Sequence, residues 1–328
     1  LSAEPPRRAA QPGSNPVDDA GSDGGALSYA GVAPAFATAF LAPLIVWTIA
    51  GHDPSSGAGI TADLATFAAH GLFGASVPTA LTAQSTLGVR GIEPVRPEFF
   101  RVMLDTLAQD LPPRGIKIGM TGSPAVVHEL AVFLKRILPS IASNSLIPIV
   151  FDPVLRATTG QDLFNESVEV LLAELVGLVT VLTPNFSELA RLTGREAASE
   201  AEAIIAAEEL GRRYPGLTIV ATAGDQEHPR DIVRLPSGEV HLIPGEHIPS
   251  QSTHGTGCAF SSALLCQLVS GAGVLEAAQR AKGFVEQGIR RAPGIGHGRG
   301  PLELFWPLRT TKQEAKSTFA ERRMEPWE

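Results

Sequence analysis

Thr253, His254, Gly255, Thr256, Gly257 and Cys258 form an unbroken run just ahead of the small and apolar residues Ala259, Phe260, Ala263 and Leu264. The two glycines let the backbone turn its N–H groups toward a ligand with no side chain in the way. At the amino end of a buried helix, those groups and the positive end of the helix dipole make an anion site. A simple helix cap explains the run less well, since capping requires neither two glycines nor a thiol. The Cys258 thiol, placed at that helix end, is expected to have a lowered pKa, which suits a nucleophile or a base that takes a proton from a substrate hydroxyl. A cysteine hydrolase would also need a histidine placed as its base, and nothing in the sequence turns His254 toward the thiol. Phosphoryl transfer fits the run better, and Cys266 reads as a packing cysteine.

Carboxylates supply the second set of candidates. Asp152 ends an apolar run, where a carboxylate is costly unless it meets a cation or hydrogen-bond donors, and magnesium is a reasonable cation. Asn185 and Glu188 have the spacing of a helix cap with a first-turn acid, or of a pair that holds water around a magnesium–phosphate complex. Asp63 sits in the first turn of a helix whose buried face is marked by Ile60, Leu64 and Phe67, and is expected to point toward the sheet rim. A dipole partner and a substrate ligand are equally good readings of it. The eight histidines have no metal-ligand spacing and read as surface or loop residues.

These residues need elements to position them. Val, Ile and Leu runs at Leu44–Ala50, Ala75–Leu81, Ile116–Gly119, Ile147–Asp152, Leu178–Leu182 and Leu217–Thr222 read as buried parallel strands. Helical periodicity fills the gaps at Gly59–His70, Pro97–Gln109, Pro124–Leu138, Ser167–Leu175, Phe186–Leu192 and Ala201–Tyr214. A hairpin of Asp231–Leu235 and Glu239–Ile243 around Pro-Ser-Gly predicts antiparallel strands on one edge, and helices over Gly257–Ser270 and Leu275–Arg291 follow. The fold class is therefore α/β, and ligands in such sheets bind beyond the carboxyl ends of the strands. Gly51 to Gly59, Gln84, Met120, Asp152 to Val154, Asn185 and Gly224 all fall on that rim.

Composition narrows the functions. With 328 residues, 44% hydrophobic and 18% charged, the chain can bury a large core. The net charge of -8 and the lack of a dense Lys/Arg run argue against nucleic acid. Cys258 and Cys266 lie too far apart on one helix for a disulfide, which suits a reducing, cytoplasmic setting. Residues 1–43 read as a disordered leader, 44–308 as one domain and 309–328 as a charged tail. The apolar stretch Gly31–Pro43 is too short to span a membrane. Gly57-x-Gly59 lacks the later acid of a dinucleotide fingerprint, and no Gly-x-x-x-x-Gly-Lys-Ser/Thr loop occurs.

From Leu44 to Leu308 the chain resembles the hydroxymethylpyrimidine/phosphomethylpyrimidine kinases of thiamine biosynthesis, in the ribokinase superfamily. The resemblance rests on Thr48 to Asp63, Thr79 to Thr86, Lys117 to Met120, Asp152 to Val154, Thr183 to Glu188, Thr253 to Cys258 and Gly296 to Pro301. It implies a three-layer α/β/α sandwich with a mostly parallel sheet and antiparallel edge strands. It implies ATP and Mg2+ as cofactors, a homodimer, and transfer of the γ-phosphate to the pyrimidine's hydroxymethyl group and then to the monophosphate. Gln84 would pair with the amino-pyrimidine edge, Asp63 would contact the pyrimidine or its hydroxymethyl, and Gly51, Thr82, Met120 and Val154 would line the pocket. Cys258 would be the base, with the N–H groups of Gly255 to Cys258 stabilising the moving phosphoryl. Asn185, Glu188, Thr222, Gly224 and Gly257 would serve the nucleotide, and Asp152 with Glu188 the magnesium. The chain departs from the family's usual Lys-Gly-Gly-His at Thr222-Ala223-Gly224-Asp225, losing a cation near the phosphates, and carries His52 and Ser56 where smaller residues are usual. Pyridoxal or pyridoxine kinase is the alternative enzyme, and a pyrimidine sensor descended from a kinase the alternative without catalysis.

Overall fold

The structure, a computed structural model, describes residues 42–141, 147–156, 168–224 and 226–309. Apart from residues 42, 43 and 309, the expected leader and tail lie outside the described residues, as do Ser167 and Asp225. Nine strands form one sheet in the order β3-β2-β1-β4-β5-β6-β7-β8-β9 among the described residues. The strands are β1 (Ile45–His52), β2 (Phe73–Ser85), β3 (Gly88–Pro94), β4 (Ile116–Ile118), β5 (Ile149–Phe151), β6 (Val181–Leu182), β7 (Thr218–Ala221), β8 (Arg230–Arg234) and β9 (Val240–Pro244). β2, β1, β4, β5, β6 and β7 run parallel, and antiparallel strands flank them on both edges.

That second antiparallel edge corrects the sequence reading, which expected one. β3 pairs with β2 from Ala80↔Pro94 to Ser85↔Gly88. Its two glycines and a terminal proline hide its apolar alternation and also suit an edge position. β6 is shorter than expected, because a 3-10 turn occupies Val176–Leu178.

Neighbouring side chains on β1 face opposite ways, as strand geometry requires. Trp47 and Ile49 join a core with Phe100 and Leu104 of α2 (Pro97–Asp110), Val126 and Leu130 of α3 (Pro124–Ile141), Leu171 of α4 (Val168–Glu174), Leu189 of α5 (Phe186–Thr193) and Ala206 of α6 (Glu200–Arg213). Val46 joins the opposite core with Phe67 of α1 (Gly59–Ala69), Leu264 of α7 (Thr256–Val269) and Ala277 of α8 (Val274–Arg290). The result is the expected α/β/α sandwich. Trp47 is completely buried, stacks on Phe133 and donates its indole N–H to the Leu111 carbonyl at 2.8 Å.

One polar cluster pins these layers together beneath the rim. Lys117 of β4 reaches both oxygens of Asp63 on α1, at 3.0 and 2.9 Å, and both side chains are wholly buried. Thr48 of β1 donates to the same carboxylate at 2.5 Å and Ser262 of α7 at 2.8 Å. Removing one member of a buried pair leaves the other uncompensated. Asp63→Ala is therefore expected to cost about 3–5 kcal/mol of unfolding free energy in a urea titration. The double variant Asp63→Leu/Lys117→Met should lose less than Asp63→Ala alone. A loss from Asp63→Ala below about 1 kcal/mol would show that the pair does not hold the layers.

Candidate functional site

The helix α7 begins as the sequence analysis expects. Gly255 caps it at φ 80°, and no side chain caps its first turn, so the leading N–H groups remain for a ligand. A Cβ at Gly255 would stand 1.9 Å from the Gly57 carbonyl oxygen, so only glycine fits there. The loop after β1 thus lies directly against the start of α7. Ser56, in that same loop, has a left-handed φ of 59°, a conformation that glycine would adopt with less strain.

Two cavities open on either side of this helix end. One, of about 480 Å³, is lined by Gly51, Thr82, Gln84, Met120 and Val154, the residues the resemblance assigns to the acceptor, and also by Gly255 and Cys258. The other, of about 850 Å³, is lined by Gly224, Phe260, Lys282 and the segment around His247. Asn185, Thr222, Thr256, Gly257 and Arg299 line both. The two spaces therefore meet at the first turn of α7.

Asp63 does not reach either cavity. The sequence reading turned it toward the rim, whereas α1 packs against β1, β2 and α7 together and buries its polar residues as well. Both of its oxygens are hydrogen-bonded to Lys117, Thr48 and Ser262, and it lines neither cavity. Lys117, which the sequence reading placed in a family motif without giving it a role, lines the smaller cavity. Burial disfavours its charge, but Asp63 foremost, then Cys258 and Asp152, hold its pKa above the ordinary value.

Cys258 corrects a second expectation. Burial pushes its thiol up to about 12, and the charges of Asp63 and Asp152 add to that shift against the opposing effect of Lys117. A hydrogen bond from the Gly59 N–H lowers it without overcoming these effects. These surroundings favour the protonated thiol.

Asp152 and Glu188 form a buried acidic pair. Burial raises Asp152 to about 6, with Asp63 adding to the shift and Lys117 opposing it. Burial and then the Asp152 charge raise Glu188 to about 8. Ser261 donates to Asp152 at 3.2 Å. Asn185 and Glu188 make the capping box of α5, with the Glu188 N–H donating to Asn185 at 2.8 Å and the Asn185 N–H to Glu188 at 2.9 Å. The cap reading holds, and both residues also line the smaller cavity. No group of three or more His, Cys, Asp or Glu arranged for a metal occurs among the described residues. Asp152 and Glu188 still fit a hard cation, because both supply oxygen donors and a divalent charge would relieve the repulsion by which Asp152 raises Glu188.

His254 was read as a loop or surface residue, and it is buried. Its Nε2 lies 2.7 Å from Asp53 Oδ2 and 3.1 Å from Gln84 Nε2. Burial works against ionisation of Asp53, but bonds from His254 and Ser55 outweigh it and hold the carboxyl below its ordinary pKa. Ser55 and Ala58 N–H groups complete its shell at 2.8 and 3.0 Å. Gln84 therefore lies beside the same histidine that precedes α7, and Thr82 Oγ1 lies 3.2 Å from its amide oxygen. The signal available in sequence was Asp53 beside Ser55 in a tight loop, a pattern that turns a carboxylate onto its own backbone.

Comparison with known proteins places the chain in a family. The family model for phosphomethylpyrimidine kinase matches residues 53–303. A hydroxymethylpyrimidine/phosphomethylpyrimidine kinase of Staphylococcus aureus is 34% identical over 80% of this chain and 94% of its own length. A multifunctional thiamine biosynthesis protein of Corynebacterium efficiens is 35% identical over 83% of this chain, which spans only 36% of that longer protein. An ADP complex of Bacillus subtilis pyridoxal kinase superposes with a TM-score of 0.71 at 28% identity, covering 82% of this chain and 100% of that one. The fold is ribokinase-like, and the chain belongs to the phosphomethylpyrimidine kinase family.

Proposed function

We propose that this chain transfers the γ-phosphoryl group of ATP to the hydroxymethyl group of 4-amino-5-hydroxymethyl-2-methylpyrimidine, and then phosphorylates the resulting monophosphate to the diphosphate used in thiamine biosynthesis. The observation that carries the proposal is the meeting of two cavities at the uncapped first turn of α7. A donor and an acceptor in adjoining spaces need their reacting atoms brought together at a site that stabilises moving negative charge.

In this reading the smaller cavity takes the pyrimidine. Gln84 hydrogen-bonds its amino edge, while Gly51, Thr82, Met120 and Val154 form the walls. Thr222, Gly224, Asn185 and Gly257 attend the nucleotide in the larger one. The bond from the γ-phosphorus to the ADP oxygen breaks as the bond to the hydroxymethyl oxygen forms, and the hydroxyl proton leaves. The N–H groups of Gly255 to Cys258 stabilise the equatorial oxygens. Asp152 and Glu188 would hold the magnesium that accompanies ATP, which supplies charge neutralisation for the phosphates. Two free thiols, Cys258 and Cys266, support the cytoplasm as the working compartment, and the family resemblance supports a homodimer.

A pyridoxal-type alcohol is the second reading, favoured by the likeness to the Bacillus subtilis pyridoxal kinase. The purified protein, given ATP, magnesium and each alcohol in competition, is expected to convert the pyrimidine to mono- and diphosphate faster than it phosphorylates pyridoxal. Ligand-induced thermal stabilisation with no ATP consumed would instead leave a binding protein.

Cys258 is the proposed acceptor of the substrate proton. Because its thiol is pushed up to about 12, the thiolate fraction is small at neutral pH and grows with each step of alkalinity. Turnover should therefore rise without levelling between about pH 7 and 9, and Cys258→Ala should flatten that rise and lower kcat on the order of 100-fold. A flat wild-type profile, or an unaffected variant, removes the thiol from the mechanism.

A further inference from the structure

Five residues line both cavities, and Arg299 is the only charged one among Asn185, Thr222, Thr256, Gly257 and Arg299. Its exposed side chain makes no ion pair or side-chain hydrogen bond among the described residues. The two lysines lining these spaces are already engaged. Lys117 is held by Asp63 at 2.9 Å, and Lys282 by Asp231 at 2.8 Å.

The backbone that carries Arg299 is fixed from two sides. Its N–H donates to the Thr86 carbonyl at 2.9 Å, and the Gly300 N–H donates to the Gln251 carbonyl at 3.1 Å. The Gly300 carbonyl in turn accepts the His254 N–H at 3.1 Å, directly ahead of the α7 turn. A Cβ at Gly298 would meet the Thr86 carbonyl oxygen at 2.0 Å, so the loop lies as close to the end of β2 as a backbone can. An anchored backbone with an unpartnered guanidinium at the boundary between two ligand spaces is arranged to meet an anion that belongs to both.

We infer that Arg299 contacts the phosphoryl group while it passes from nucleotide to alcohol, supplying charge that Thr222 on the same boundary cannot. The inference rests on the proposed kinase reading. Arg299 takes up no proton and forms no covalent bond. Its guanidinium donates hydrogen bonds to the phosphoryl oxygens, which keep their negative charge as the bond to ADP breaks and the bond to the alcohol oxygen forms.

The test compares wild type, Arg299→Ala and Arg299→Lys in two assays. Steady-state turnover with ATP, magnesium and the hydroxymethylpyrimidine is expected to show kcat lowered on the order of 100-fold in Arg299→Ala, with KM for the pyrimidine within about twofold, and partial recovery in Arg299→Lys. Calorimetric titration with a non-hydrolysable ATP analogue and with AMP is expected to show Arg299→Ala binding the analogue about tenfold more weakly and AMP unchanged. An unchanged kcat in an active background overturns the inference and leaves the kinase reading intact. If the wild type itself shows no turnover, the kinase reading fails and the titration alone decides: equal affinities for the analogue in wild type and Arg299→Ala overturn the contact. Melting temperatures of the three proteins should agree, since the side chain is exposed and makes no ion pair or side-chain hydrogen bond among the described residues.

Discussion

Lys117 and Asp63 are both taken wholly out of water, and their desolvation is offset only because each oxygen of the carboxylate has further donors in Thr48 and Ser262. These four residues come from β4, α1, β1 and α7, so a single polar cluster fixes the amino end of α7 against the sheet rim. The consequences reach the site. The lysine charge opposes the burial that raises both Asp152 and Cys258, so losing it would push two groups of the cleft further from ionisation. A buried pair adds little net stability compared with a well-packed apolar substitute, and its effect here is to fix geometry. The first turn of α7 is presented at one place and at one angle.

From that fixed turn the division of labour follows. The loop after β1 passes so close to Gly255 that no side chain fits between them. Asp53 in that loop binds His254, and His254 meets Gln84 on β2. The wall of the smaller cavity and the start of α7 are thereby neighbours. On the other side the larger cavity, which the proposal gives to the nucleotide, opens toward α8 and the segment after β9. Asp152 and Glu188 line the smaller cavity, where the Asp152 charge adds to the burial that raises Glu188.

Much of this was legible in the sequence because glycine spacing and apolar runs report directly on backbone and burial. The strand–helix alternation, the rim and the α7 turn are of that kind. Asp63 was not legible, since helical periodicity identifies one apolar face and cannot reveal that α1 is covered on its polar side by α7 as well. Cys258 misled for a related reason: a helix end lowers a thiol pKa, but the burial and carboxylates that raise it come from residues distant in sequence. β3 was hidden by Gly88, Gly91 and Pro94, which interrupt its pattern. Arg299 lay within the Gly296 to Pro301 run that carries the resemblance, but no role could be read for it there, because its significance lies in which two spaces it borders.

A crystal structure with the aminopyrimidine alcohol and a non-hydrolysable ATP analogue bound together tests the central claim most directly. The account predicts the pyrimidine in the cavity lined by Gln84 and Met120, the nucleotide in the cavity lined by Gly224 and Phe260, and the γ-phosphate against the Thr256 and Gly257 N–H groups facing the hydroxymethyl oxygen. Both ligands found in one cavity, or a γ-phosphate turned away from the first turn of α7, would contradict it.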